Sequence, residues 1–137
     1  YLCDKQHINM TEKIIIYLKR FPITLFLILL ITGLSLFTPP KIEIEPIRFA
    51  DKWTHILMYC LLEVSCWIEY SHCYKKKMTH SAILFLWLFP IFYGGSMELA
   101  QAYCTTERSG DWLDFLSNII GCNIGFILGR LYFLHKQ

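Results

Sequence analysis

Long apolar runs alternate with short polar breaks along this chain. Four runs stand out, at about Phe21 to Phe37, Trp53 to Tyr70, Ser81 to Tyr103 and Trp112 to Leu134. Each is roughly 17 to 23 residues long, near the length a helix needs to cross a bilayer. Backbone groups placed in lipid must be satisfied within their own segment, so each run is expected to be a helix. Pro90, with Gly94 and Gly95 after it, is expected to kink the third. The first run follows Lys19-Arg20 and ends at Thr38-Pro39-Pro40. It is long for a signal-peptide core and no small-residue cleavage site follows, so it reads as an uncleaved anchor.

The polar breaks set an orientation. Lys13, Lys19 and Arg20 precede the first run, Lys75, Lys76 and Lys77 separate the second from the third, and Lys136 follows the fourth. The other two breaks, 39–52 and 104–111, carry mixed charge. The positive-inside rule then puts both termini in the cytoplasm and the mixed breaks outside. The expected fold is an all-α membrane protein, a four-transmembrane-helix bundle with both termini cytoplasmic. Residues 1–20 form an N-terminal tail, 21–134 the membrane domain and 135–137 a C-terminal tail. Met10 opens "MTEKIIIYLKR" like a natural start, so residues 1–9 are expected to be upstream or appended sequence.

With that orientation the costly residues converge on one side. Asp51, Lys52 and His55 stand at the outer start of the second run. Glu98 and Gln101 stand at the outer end of the third, and Arg108, Asp111, Asp114 and Asn118 lead into the fourth. Asp51, His55 and Tyr59 recur every four residues and so share a helix stripe; Glu98 and Gln101 share another, and Asp111, Asp114 and Asn118 a third. Below them Gly121, Gly125 and Gly129 form a doubled small-xxx-small pattern, expected to let a neighbouring helix approach closely. Ionisable residues inside a membrane are functional candidates by default, and here they cluster. Two readings stay open: a polar pocket opening to the outer face, and a static ion-pair network locking the helices. Glu63 lies deeper, one turn beyond Tyr59. It is a protonated carboxyl bonded to Tyr59, a partner in the pocket, or a sign that the helix is displaced.

Composition bears this out. The chain is 55% hydrophobic over 137 residues, too much apolar side chain for the interior of a soluble domain of that size. A net charge of +2 with no basic stripe argues against a nucleic-acid partner. Of six cysteines, Cys60, Cys66 and Cys122 fall inside apolar runs and no CxxC pair exists, so they read as small buried residues rather than a disulfide framework.

Three blocks, "DKWTHILMY" (51–59), "GGSMELAQAY" (94–103) and "RSGDWLDFLSNIIGCNIG" (108–125), resemble the signature blocks of the VanZ-like membrane proteins. The matching positions are Asp51, Lys52, His55, Tyr59, Glu98, Gln101, Arg108, Asp114, Asn118 and Gly121, with Asp111 a common variant; Glu63 lies outside the pattern. The resemblance implies a small bacterial inner-membrane protein, multi-pass. Its namesake is associated with teicoplanin resistance, as an accessory factor without a settled activity.

The partners expected are the lipid bilayer and a cell-envelope lipid or glycopeptide-related ligand. In the first reading the pocket binds such a ligand without chemistry, through Asp51, Lys52, Tyr59, Gln101, Arg108, Asp111 and Asn118. In an alternative it is a hydrolase or transferase acting on a phosphorylated envelope lipid. There His55 is general acid or base, Glu98, Asp111 and Asp114 orient it or hold a divalent cation, and Lys52 and Arg108 clamp phosphate. No nucleophile and no tight metal motif is recognisable. Permeation fits worst, since four short helices leave little room for a pathway.

Overall fold

The computed structural model describes residues 9–37, 50–74, 78–105 and 111–135. Among the described residues the only regular elements are helices: α1 (Met10–Arg20), α2 (Pro22–Leu36), α3 (Ala50–Cys73), α4 (His80–Cys104) and α5 (Trp112–His135). The stretch expected as a plain tail therefore carries a helix. In α1, Glu12 accepts from the Asn9 backbone N–H at 3.2 Å and secures the first turn. Chain-breaking chemistry explains the other limits. Pro22 opens α2, where its missing N–H costs nothing. The Thr79 hydroxyl accepts from the Ala82 N–H at 3.2 Å at the start of α4. Asp111 performs the same service for α5, accepting from the Leu113 N–H at 2.9 Å. α4 remains helical through Pro90, which is buried.

Contacts fix how α2 to α5 run. The start of α2 touches the end of α3, where Glu69 accepts from the Ile23 N–H at 2.6 Å and the Thr24 N–H at 3.0 Å. The end of α2 touches the end of α4, where Gln101 donates to the Ser35 carbonyl at 3.2 Å. The start of α3 meets the start of α5 through Lys52 and Asp111, 2.7 Å apart. Successive helices therefore alternate in direction, and α3 and α5 lie parallel.

The α3–α5 pair is the tightest contact. A Cβ on Gly121 would collide with the Ile56 carbonyl oxygen, one on Gly125 would lie 2.6 Å from the Cys60 carbonyl oxygen, and one on Gly129 would lie 2.5 Å from Trp67 Cγ. Only glycine lets the two backbones meet at this distance. Two apolar clusters flank the seam, one around Ile31, Tyr59, Leu62 and Cys122, the other around Cys66, Trp67 and Leu86. The five described cysteines are free thiols.

Two helices, α4 and α5, are long and apolar enough to cross a membrane, and α2 is apolar but shorter. Burial is inverted relative to a water-soluble domain. Among the described residues eleven buried side chains are polar or charged and eight are hydrophobic. Large apolar side chains face outward on all four of α2 to α5, among them Phe26, Leu57, Phe92 (71% exposed) and Leu131.

Candidate functional site

At the end shared by the start of α3, the end of α4 and the start of α5, the polar residues form one connected group. Lys52 bridges two carboxylates, Asp111 at 2.7 Å and Asp114. Asp111 uses both oxygens: one takes Lys52 and the other caps α5. The Lys52 hydrogen bond, followed by that from the Leu113 N–H, holds the Asp111 carboxyl below its ordinary range. Because Lys52 already has two anionic partners, its expected part in a phosphate clamp is filled from within the protein.

A second chain of bonds starts at Glu98. Asn118, wholly buried, donates through Nδ2 to Glu98 Oε1 at 3.2 Å, and its Oδ1 lies 2.9 Å from His55 Nδ1. An amide nitrogen can only donate and its carbonyl oxygen can only accept, so His55 must carry a proton on Nδ1. Its Nε2 faces carboxylates, Asp51 at 4.0 Å and Asp114 at 3.9 Å. That nitrogen is where a proton can be gained or given up. The ligand atoms of Asp51, His55 and Asp114 lie within 4.8 Å of one another, so these three have the reach to hold a cation. Asp51, Asp111, Asp114 and Glu98 against Lys52 leave a formal charge of −3 among the described residues (four carboxylates, one ammonium) before His55 is counted.

The other candidates separate from this group. Arg108 lies outside the described residues, as do Cys3 and the triple lysine at 75–77. Tyr59 lies in the apolar core, its ring packed against Tyr93 at a centroid distance of 6.2 Å and beside Gly94. The Gln101 side chain turns to α2. Glu63 is not bonded to Tyr59: its Oε1 accepts from Trp67 Nε1 at 3.0 Å, and its stem packs where Gly125 leaves room. Glu63 and Trp67 are four residues apart on one helix, a signal present in the sequence. Glu69, which caps α2, leaves only a partial signal in the sequence: Pro22 starts a helix whose next N–H groups need acceptors, but that the end of the following run supplies them depends on how the helices pack.

An open groove of about 590 Å³ lies between α4 and α5, lined by Phe92, Gly95, Leu99, Trp112 and Phe115 among others, with Glu98 and Asp111 in its wall. No pattern along the chain announces it, because its width depends on how far apart two helices settle.

No family model and no solved structure matches the chain. An uncharacterized protein of the fission yeast Schizosaccharomyces pombe is 27% identical over 121 residues, which covers 88% of this chain and 68% of that protein.

Proposed function

We propose that α2 to α5 each cross a membrane, with both termini on the cytoplasmic side, and that the cluster around His55, Glu98 and Asp114 is an outward-facing pocket for the polar head of a membrane amphiphile. The inverted burial carries the reading: outward apolar side chains on all four helices suit lipid, and inward acids and amides suit a polar interior. The three VanZ-like blocks support the same placement, and with it an envelope ligand and an accessory role in glycopeptide resistance. Similarity to a fission yeast protein favours framing the ligand as a membrane amphiphile rather than one tied to bacterial walls.

One observation favours catalysis as a second reading. His55 is held by Asn118 on one nitrogen and faces two aspartates with the other, the arrangement of an oriented acid–base group. A static network is the third.

His55→Ala and Asp114→Asn, each measured for thermal stability and for saturable binding of brominated dodecyl amphiphiles in phosphatidylcholine nanodiscs, separate the readings. The pocket predicts near-normal melting with lost binding. A static network predicts lowered melting in both with binding absent from the wild type as well. Turnover of lipid phosphates or diphosphates by the wild type, with or without divalent cations, would establish the enzyme.

A further inference from the structure

Two carboxylates line the α4–α5 groove, and they are in different states. Asp111 has a donor on each oxygen, Lys52 on one and the Leu113 N–H on the other. Glu98 is 8% exposed, gives Oε1 to Asn118, and has no hydrogen-bond partner on Oε2. An unsatisfied buried acceptor costs free energy comparable to a lost hydrogen bond, and more when it bears charge. Glu98 is a residue of the groove wall, and its Oε2 is buried there, so a donor in the groove meets it on a turn of the Glu98 side chain. The group that completes it is a donor. Among the described residues the surplus of carboxylates over cations makes a positively charged donor better than a neutral one, and Lys52 is already occupied, so an anionic head finds no free described cation at this wall. The exposed rings of Tyr103 and Trp112 also line the groove, and aromatic faces attract ammonium groups. The rest of the lining, Phe92, Leu99 and Phe115 above all, is apolar and suits a hydrocarbon chain.

We propose that the groove binds an amphiphile with a protonated primary amine head, the ammonium donating to Glu98 and the chain lying between α4 and α5. The proposal rests on the pocket reading above and names its ligand class.

The test uses the full chain in phosphatidylcholine nanodiscs, titrated with brominated dodecyl chains bearing ammonium, trimethylammonium, hydroxyl or phosphate heads. Quenching of Trp112 reports occupancy, identified as the saturable component lost in Trp112→Phe. We expect the ammonium compound to bind about tenfold or more tighter than the hydroxyl and phosphate compounds, the yield of one charge-assisted hydrogen bond. The trimethylammonium compound, a cation without a donor, falls between. Glu98→Gln should weaken the ammonium compound by about tenfold and leave the hydroxyl compound within about twofold. Ala102→Trp, which fills the groove from an exposed position, should weaken every head alike. Phosphate or hydroxyl binding as tightly as ammonium to the wild type would overturn the amine assignment while leaving the pocket standing, a result that does not depend on any variant folding. Saturable quenching by none of the four would overturn the pocket reading as well.

Discussion

Glu69 and Glu98 are the same side chain at nearly the same burial, 5% and 8% exposed, at opposite ends of the same group of helices. Glu69 is finished. Its two oxygens take the Ile23 and Thr24 N–H groups, closing the start of α2 with a carboxylate from α3. Glu98 is half finished, with one oxygen on Asn118 and the other buried without a partner in a side chain of the groove wall. A carboxylate with both oxygens bonded to backbone N–H groups is part of the scaffold, because a ligand that took them would break what holds the helices. A carboxylate left with an acceptor at a cavity wall can exchange partners without unfolding anything. The contrast separates supporting acids from binding ones more sharply than charge or burial does.

That contrast can be broken by mutation. Glu69→Ala strands two N–H groups at the start of α2 and should cost about 3 kcal/mol in denaturant or SDS unfolding. Glu69→Gln, which keeps one acceptor oxygen, should cost less. The glycine seam gives the next effect. Gly121→Ala pushes a methyl into the Ile56 carbonyl and should cost about 2 kcal/mol, whereas Gly33, with nothing near its would-be Cβ, should gain about 0.5 kcal/mol as alanine from helix propensity. A Gly121→Ala protein as stable as Gly33→Ala would show that α3 and α5 do not approach as described. Glu98→Gln should stay within about 1 kcal/mol of the wild type, since an amide still accepts from Asn118. A loss as large as that of Glu69→Ala would move Glu98 to the scaffold side.

The smallest effect is a pH dependence. Lys52 holds the Asp111 carboxyl below its ordinary range. A carboxyl depressed in the folded state stabilises above its unfolded value and loses that contribution as the pH falls through the folded one. The wild type should therefore keep a small stability advantage over Lys52→Gln from neutral pH down to about 4, and lose it in stronger acid. An advantage that vanishes on the alkaline side instead would show that the lysine, not the carboxylate, governs the pairing.

Much of this was legible in the sequence. Uninterrupted apolar runs place α2 to α5 to within a few residues, since proline, glycine and charged breaks leave little choice of limits. Helical spacing brings Asp51, Lys52 and His55 onto one end, and parallel α3 and α5 bring Asp114 and Asn118 beside them. Spacing within a helix does not say which neighbour a side chain meets. Gln101 shares a face with Glu98 yet bonds to α2, and Tyr59 shares a stripe with His55 yet sits in the apolar core. The same limit hid the satisfaction of Lys52 by two aspartates, the cap supplied by Glu69, and the groove. Each depends on distances between helices that a linear pattern does not contain. The helix in α1 is too short and too charged to stand out among the apolar runs, although its capping pair, Asn9 and Glu12, is present in the sequence.

The account depends on the two ends of α3 lying at opposite faces of a bilayer, with the acids and bases of three helices gathered at the outer one. Single cysteines at Asp51, Asp111, Lys19 and His135, in a chain whose native cysteines are replaced by serine, can be probed with a membrane-impermeant thiol reagent in oriented proteoliposomes. The prediction is that positions 51 and 111 label from one side and positions 19 and 135 from the other. Labelling of all four from the same side would contradict the four-span arrangement and, with it, the outward-facing pocket.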